Sequence, residues 1–120
     1  MKRVLVVDDD PQVSDLIGEI LARGGYRADT ASNGREALDH IYRNRPDALL
    51  IDLGLPGAQG WRLLDACRRK PELTPIALVA TSADVDEAHL ATRLGARGQL
   101  VKPFGISAVL QLVDQVTASS

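Results

Sequence analysis

Residues 4–11 of the chain read VLVVDDDP, an apolar run that ends in three aspartates and a proline. An apolar run without polar alternation is typical of a strand buried on both faces of a parallel sheet. Proline at the first position of a helix, with Asp10 before it as the N-cap, is a common helix start. The stretch therefore predicts a buried strand and then a helix, and it places Asp8 and Asp9 at the carboxyl end of that strand.

The same alternation continues along the chain. Apolar runs predict further strands at residues 26–31, 48–51, 76–80 and 99–101, of which the first is the weakest. Apolar residues at helical spacing predict helices around residues 13–21, 37–42, 61–67, 85–94 and 106–116. Five strands joined by right-handed crossovers predict an α/β fold, a flavodoxin-like parallel sheet of order 2-1-3-4-5 with five helices on both faces. In such a sheet the functional site lies at the carboxyl ends of strands 1 and 3.

Composition narrows the class of protein. The 120 residues form one expected domain, residues 1–120, without repeats or linkers. The net charge of −2, from 14 basic and 16 acidic residues, argues against direct binding to nucleic acid or to a membrane surface. One cysteine forms no internal disulfide, no apolar run is long enough to cross a membrane, and the aspartates interrupt the only hydrophobic N-terminal stretch. We therefore expect a cytoplasmic location.

The predicted carboxyl ends of the strands are acidic. Asp8 and Asp9 follow the first strand and Asp52 follows the third. Neighbouring carboxylates repel one another, so a cluster of three is costly unless a cation compensates its charge. Mg²⁺ fits this role, because it accepts one or two carboxylates together with water and phosphate oxygens.

Three stretches carry a family resemblance: VLVVDDD at residues 4–10, LLIDLGLPGAQG at 49–60 and GARGQLVKPF at 95–104. In order and spacing they closely resemble the receiver domains of response regulators in two-component systems. The resemblance implies that Asp52 is the phosphoacceptor and that Asp8 and Asp9 position Mg²⁺. It also implies that Gly54 offers a backbone carbonyl to the metal and that Lys102 pairs with a phosphoryl oxygen.

The resemblance also implies a function and partners. The chain would be a phosphorylation-dependent signalling switch that receives its phosphoryl group from a sensor histidine kinase or a histidine phosphotransfer protein. It would act on a downstream effector protein or domain. It would not be an enzyme with a separate substrate, although it would catalyse its own phosphoryl transfer and slow dephosphorylation.

The switch residues depart from the family pattern. Receivers usually carry Thr or Ser at the end of strand 4 and often an aromatic residue on strand 5. Counting by the usual spacing reaches Ala80 for the first position and Gln99 for the second. A shift of one residue reverses the face of a strand side chain, so Thr81 is expected to serve only if a bulge re-aims it. Thr81, Ser82 and no hydroxyl at all remain open. Because Gln99 has no ring to bury, we expect a different or weaker rearrangement of the surface formed by helix 4, strand 5 and helix 5.

Three alternative functions fit parts of the sequence. A haloacid-dehalogenase-like phosphatase also uses an Asp nucleophile after strand 1, but Gln12 stands where Thr or Val is expected and the chain is short for that fold. A flavodoxin-like electron carrier needs a hydroxyl- and glycine-rich loop that the aspartates replace. A degenerate receiver that only binds partners would not need the acids and Lys102 together.

Four other residues are expected to play no chemical role. Trp61 and Cys67 are predicted to pack on helix 3. His40 and His89 have no partner at the spacing of a metal site, and we expect both to be solvated.

Overall fold

The chain alternates strands and helices throughout. The computed structural model describes residues 1–118. The elements are β1 (Arg3–Val7), α1 (Pro11–Arg23), β2 (Arg27–Ala31), α2 (Gly34–Arg43), β3 (Ala48–Asp52), a short 3₁₀ turn (Pro56–Ala58), α3 (Gln59–Arg69), β4 (Ala77–Ser82), α4 (Val85–Arg93), β5 (Gly98–Val101) and α5 (Ile106–Thr117).

The five strands form one parallel sheet in the order β2-β1-β3-β4-β5. This confirms the predicted α/β class and strand order. After β1 the chain continues to β2 at one edge of the sheet, and after β3 it continues to β4 and β5 at the other edge. The connections after β1 and after β3 therefore run in opposite directions. The carboxyl ends of β1 and β3 therefore border the crevice in which such folds place their site.

Each face of the sheet is covered by helices. Alternate strand residues, such as Leu5, Ile51 and Ala80, pack with α2, α3 and α4, and we call this the α3 face. The residues between them, such as Val6 and Leu50, pack with α1 and α5 on what we call the α5 face. Both faces of the central strands are buried, which explains why their sequences are apolar runs without alternation.

The start of α1 agrees with the sequence. The Asp10 side chain accepts a hydrogen bond from the Gln12 amide at 3.0 Å, and Pro11 occupies the first helical position. This confirms Asp10 as an N-cap, with a carboxylate that is used locally. None of the helices in the described part of the chain is long and apolar enough to cross a membrane.

Strand β4 begins and ends later than predicted. The Ile76 amide donates to the Leu73 carbonyl oxygen at 3.0 Å, so Ile76 belongs to the preceding turn rather than to the strand. Pairing with β3 then starts at Ala77 and continues without interruption to Thr81, which lies opposite Asp52. The late start brings Thr81 and Ser82 into the strand.

Candidate functional site

The acidic cluster forms at the carboxyl ends of β1 and β3. One carboxylate oxygen from each of Asp8, Asp9 and Asp52 lies within 4.8 Å of the other two. Asp8 and Asp52 are only 4% and 6% exposed, whereas Asp9 is exposed to solvent. The structure thus brings together the three aspartates singled out in the sequence.

Lys102 enters this cluster from the end of β5. Its Nζ lies 3.3 Å from Asp8 Oδ2 and 3.5 Å from Asp52 Oδ1. Backbone amides hold the two carboxylates in place, since the Asp10 amide donates to Asp8 Oδ1 and the Gly54 amide donates to Asp52 Oδ1, each at 2.9 Å. The following Lys102–Pro103 peptide bond is cis. One ammonium group therefore serves two buried carboxylates.

The protonation equilibria of the site reflect burial and charge. Burial raises the pKa of Asp52 above its ordinary value, and the charge of Asp8 adds to the rise, while the Gly54 amide and Lys102 oppose it. Burial also disfavours the charge on Lys102, but Asp52 and Asp8 outweigh that effect and raise the pKa of Lys102. The folded state therefore favours the charged form of Lys102 and disfavours the charged form of Asp52.

The donor set fits Mg²⁺. This ion prefers oxygen ligands at about 2.1 Å, which places the ligands of one ion about 3–4 Å from one another. Three carboxylate oxygens within 4.8 Å of one another need only small side-chain adjustments to reach that spacing. Gly54 lies beside the cluster with its amide on Asp52, and the role of its carbonyl oxygen as a metal ligand stays a prediction.

Thr81 lies on the same face of the sheet as Asp52, although the sequence predicted that this would need a bulge in the strand. The two residues are register partners, and paired residues of parallel strands point to the same face. No bulge interrupts the described β3–β4 ladder, so the expectation that Thr81 needs one was wrong. The physical reason is the turn at Ile76, because of which the ladder with β3 begins at Ala77, one residue later than the strand start expected from the sequence.

The two other positions considered for the switch residue, Ala80 and Ser82, lie on the opposite face. Ala80 is buried on the α3 face and pairs with Gln99 of β5. Ser82 shares that face by alternation, and its hydroxyl is already committed to Glu87 at 2.6 Å. Gln99 turns toward α4, where its Oε1 accepts a hydrogen bond from Thr92 Oγ1 at 2.8 Å. The assignment of Thr81 as the switch hydroxyl stays a prediction, now with the geometry in its favour.

The residues expected to be chemically inert fall into two groups. Cys67 is buried in the core of the α3 face, where burial raises the pKa of its thiol to about 11, and Trp61 packs against the same core. This confirms their packing role. His89 is exposed as expected. His40 is not solvated: its Nε2 lies 3.6 Å from Asp29 Oδ2, and its buried Nδ1 has no hydrogen-bond partner among residues 1–118.

The sequence reasoning missed Glu87. Asp84 and Glu87 have the spacing of a capping box at the start of α4, and this signal could have marked Glu87 as a residue with a fixed side chain. The actual partners of its carboxylate are Ser82 and Trp61, which only the tertiary structure reveals.

A family comparison identifies the domain. The model of the response regulator receiver domain matches residues 4–114. The chain belongs to the response regulator receiver domain family. Receiver domains are phosphoacceptor switches of two-component signalling, they bind Mg²⁺ at an acidic site, and they interact with histidine kinases or phosphotransfer proteins and with effectors.

Solved structures agree with this membership. A protein described as a response regulator from Chloroflexus aurantiacus is 34% identical with a TM-score of 0.87, and the match covers 98% of each chain. TrrA from Thermotoga maritima, solved in complex with Mg²⁺ and BeF, is 30% identical with a TM-score of 0.86, over 97% of this chain and 99% of TrrA. NtrX from Brucella abortus is 26% identical with a TM-score of 0.89, but the match spans 98% of this receiver and only 26% of NtrX.

Proposed function

We propose that this receiver domain accepts a phosphoryl group on Asp52 from phosphohistidine on a sensor histidine kinase or a histidine phosphotransfer protein. A carboxylate oxygen of Asp52 attacks phosphorus and forms the acyl phosphate. The bond from phosphorus to the imidazole nitrogen breaks, and the imidazole leaves with that electron pair. The observation that carries the proposal is the buried Asp52 carboxylate at the end of β3, with the Lys102 ammonium 3.5 Å away at the end of β5.

Positive charge is needed because the phosphoryl group brings more negative charge into an acidic crevice. Lys102 supplies one unit and would pair with a phosphoryl oxygen. Mg²⁺, held by Asp8, Asp9, Asp52 and the Gly54 carbonyl, would supply further charge to the phosphoryl oxygens. The similar TrrA was solved in complex with Mg²⁺ and BeF, and this supports the proposal that Mg²⁺ also binds to this receiver.

The same site would also reset the domain. Water attacks phosphorus in the acyl phosphate and loses a proton to the solvent. The bond from phosphorus to the Asp52 oxygen breaks, the Asp52 carboxylate leaves with that electron pair, and inorganic phosphate is released. Because the group that is hydrolysed is the domain's own side chain, the chain is a self-resetting switch rather than an enzyme with a separate substrate. Its output would be a contact with a downstream effector protein or domain.

The test uses acetyl phosphate as a small phosphodonor. In the presence of Mg²⁺ the intact protein should gain the mass of one phosphoryl group, and EDTA should prevent the gain. Asp52→Asn should show no gain, while Asp65→Asn, which neutralises an exposed carboxylate on α3, should label like the wild type. Equal labelling of Asp52→Asn would contradict the assignment.

The same measurement tests the alternative that the chain is a degenerate receiver, which binds partners without accepting a phosphoryl group. A folded wild-type protein that gains no mass with Mg²⁺ and acetyl phosphate would be a binding module without phosphoryl transfer. The buried carboxylates and Lys102 favour the active form, since burying these charges without a use for them is costly.

A further inference from the structure

The carboxylate of Glu87 joins three elements of the receiver. Its Oε1 accepts a hydrogen bond from Ser82 Oγ at 2.6 Å, and its Oε2 accepts one from Trp61 Nε1 at 3.3 Å. Ser82 ends β4, Glu87 lies in the first turn of α4, and Trp61 lies near the start of α3. The bond to Ser82 has the length of a hydroxyl donating to a carboxylate. We call this set of three residues the Glu87 bridge.

Ser82 has a fixed position in the bridge. It is 2% exposed, and its Oγ also accepts a hydrogen bond from the Asp84 amide at 3.0 Å. Asp84 in turn caps α4, with its side chain accepting from the Asp86 and Glu87 amides. The Ser82 hydroxyl therefore contacts both the N-cap residue and the first turn of α4, and Glu87 connects that turn to α3.

The bridge begins one peptide unit from the phosphorylation site. Thr81 lies opposite Asp52 on the same face, and its carbonyl oxygen accepts the Leu53 amide at 2.9 Å. The next carbonyl oxygen, that of Ser82, accepts the Lys102 amide at 2.8 Å. Because the two residues share one planar peptide unit, a movement of the Thr81 backbone toward a group on Asp52 would displace Ser82 as well.

We propose that Glu87 is a positioning residue that transmits phosphorylation of Asp52 from Thr81 and Ser82 to α4 and Trp61. The proposal rests on the proposed function. Because Gln99 stands where many receivers have an aromatic residue, this receiver has no ring to bury at that position. The Glu87 bridge would supply a polar connection instead. At the other end of α4, Thr92 and Gln99 hold the helix to β5 by a second hydrogen bond between side chains. Release of the Glu87 bridge then frees the start of α4 while its end stays attached.

Trp61 makes the proposal measurable, because it is the only tryptophan in the chain. Loss of the bond to Glu87 exposes the indole N–H, so the fluorescence lifetime of Trp61 separates the bridged from the released state. Phosphorylation of the wild type should increase the released population about fivefold, as expected for the loss of one ordinary hydrogen bond. The mass of the same sample reports phosphorylation independently.

Three variants give the test its controls. Glu87→Met keeps a similar side-chain length but has no oxygen to accept from Ser82 or Trp61. Asp86→Asn removes the same charge in the same turn from an exposed side chain and should behave like the wild type. Ser82→Ala keeps the bond between Glu87 and Trp61 but cuts the connection to β4, so its Trp61 signal should start like the wild type and not respond.

The outcomes separate the two proposals. The bridge is supported if Glu87→Met gains the phosphoryl mass while Trp61 already shows the released signal and does not change further. The bridge is overturned, and the proposed function left intact, if the wild type gains the mass without any change at Trp61. The same conclusion follows if Glu87→Met or Ser82→Ala responds like the wild type. A wild type that gains no mass overturns the proposed function and the bridge with it.

Discussion

Replacing Asp52 with asparagine should stabilise the receiver in the absence of metal, even though the substitution removes a carboxylate that Lys102 contacts. Asparagine has nearly the same shape and keeps an oxygen that can accept the Gly54 amide. The substitution therefore removes charge and little else. Its effect on the free energy of unfolding measures what the buried negative charge costs the fold.

The magnitude follows from the distances. At an effective dielectric constant of about 20, the Lys102 ammonium at 3.5 Å attracts the Asp52 carboxylate by about 5 kcal/mol. On the same scale Asp8, within 4.8 Å, repels it by about 3.5 kcal/mol, and the exposed Asp9 adds about 1 kcal/mol, the value in water. Attraction and repulsion nearly cancel, and the cost of burying the charge remains. We expect Asp52→Asn to raise the free energy of unfolding by about 1–2 kcal/mol.

The pH dependence has a definite sign. Because burial raises the pKa of Asp52 above its ordinary value of 3.8, the folded state binds this proton more tightly than the unfolded state does. The cost of the charge is therefore complete above the folded pKa and disappears as the pH falls through that pKa to 3.8 and below. The advantage of Asp52→Asn should be largest near neutral pH and should vanish in acid.

Urea unfolding near neutral pH with EDTA measures this difference as a shift in midpoint at constant slope. Saturating Mg²⁺ should stabilise the wild type and narrow the gap. The control is Asp65→Asn, whose exposed carboxylate pairs with Arg69, and we expect a small loss of about 0.5 kcal/mol. If Asp52→Asn were less stable than the wild type in EDTA, the attraction to Lys102 would outweigh burial and the reasoning would be wrong.

Three further changes test other parts of the structure. Lys102→Met should slow labelling by acetyl phosphate about 100-fold, as for the loss of one preorganised partner of a developing charge, and a time course of the mass gain measures this. Gly60→Ala should destabilise the fold by about 1–3 kcal/mol in urea unfolding, because a Cβ there would lie 2.3 Å from the carbonyl oxygen of Asp52. Burial and the hydrogen bond to Asp114 raise the pKa of Tyr26 in the folded state. The wild type should therefore lose stability as the pH rises from 10.0, the ordinary value, through the folded pKa. Tyr26→Phe should not show this loss.

The first two of these changes have matched controls. Lys70→Met, which changes an exposed lysine at the end of α3, should label at the wild-type rate. Gly18→Ala should stabilise α1 by about 0.5–1 kcal/mol, since the nearest atom to its added Cβ is 3.9 Å away. The role of Lys102 would be contradicted if Lys102→Met were labelled at a rate within threefold of the wild type. The close contact at Gly60 would be contradicted if Gly60→Ala had unchanged stability. The raised pKa of Tyr26 would be contradicted if Tyr26→Phe and the wild type lost stability equally at alkaline pH.

The fold and the acidic cluster could be predicted because their signals are local. The first strand is an apolar run, so its burial on both faces follows from composition, and Pro11 with Asp10 marks the start of α1. The parallel topology then brings Asp8, Asp9 and Asp52 to one edge of the sheet. Pattern and topology together were enough for this part of the site.

Register could not be predicted in the same way. Whether Ile76 belongs to the strand or to the turn depends on one hydrogen bond to Leu73, and this single residue decides which face Thr81 occupies. The surroundings of His40 were also out of reach, because Asp29 approaches it from a different element. The partners of Glu87 were missed for the same reason.

The most direct test of the central claim is chemical trapping of the acyl phosphate. Borohydride reduces an aspartyl phosphate to homoserine, so the modified position can be read by peptide mass spectrometry. After treatment with Mg²⁺ and acetyl phosphate, we expect homoserine at position 52 and unmodified aspartate at positions 8 and 9. Homoserine at position 8 or 9, or at any other acid with position 52 unchanged, would contradict it.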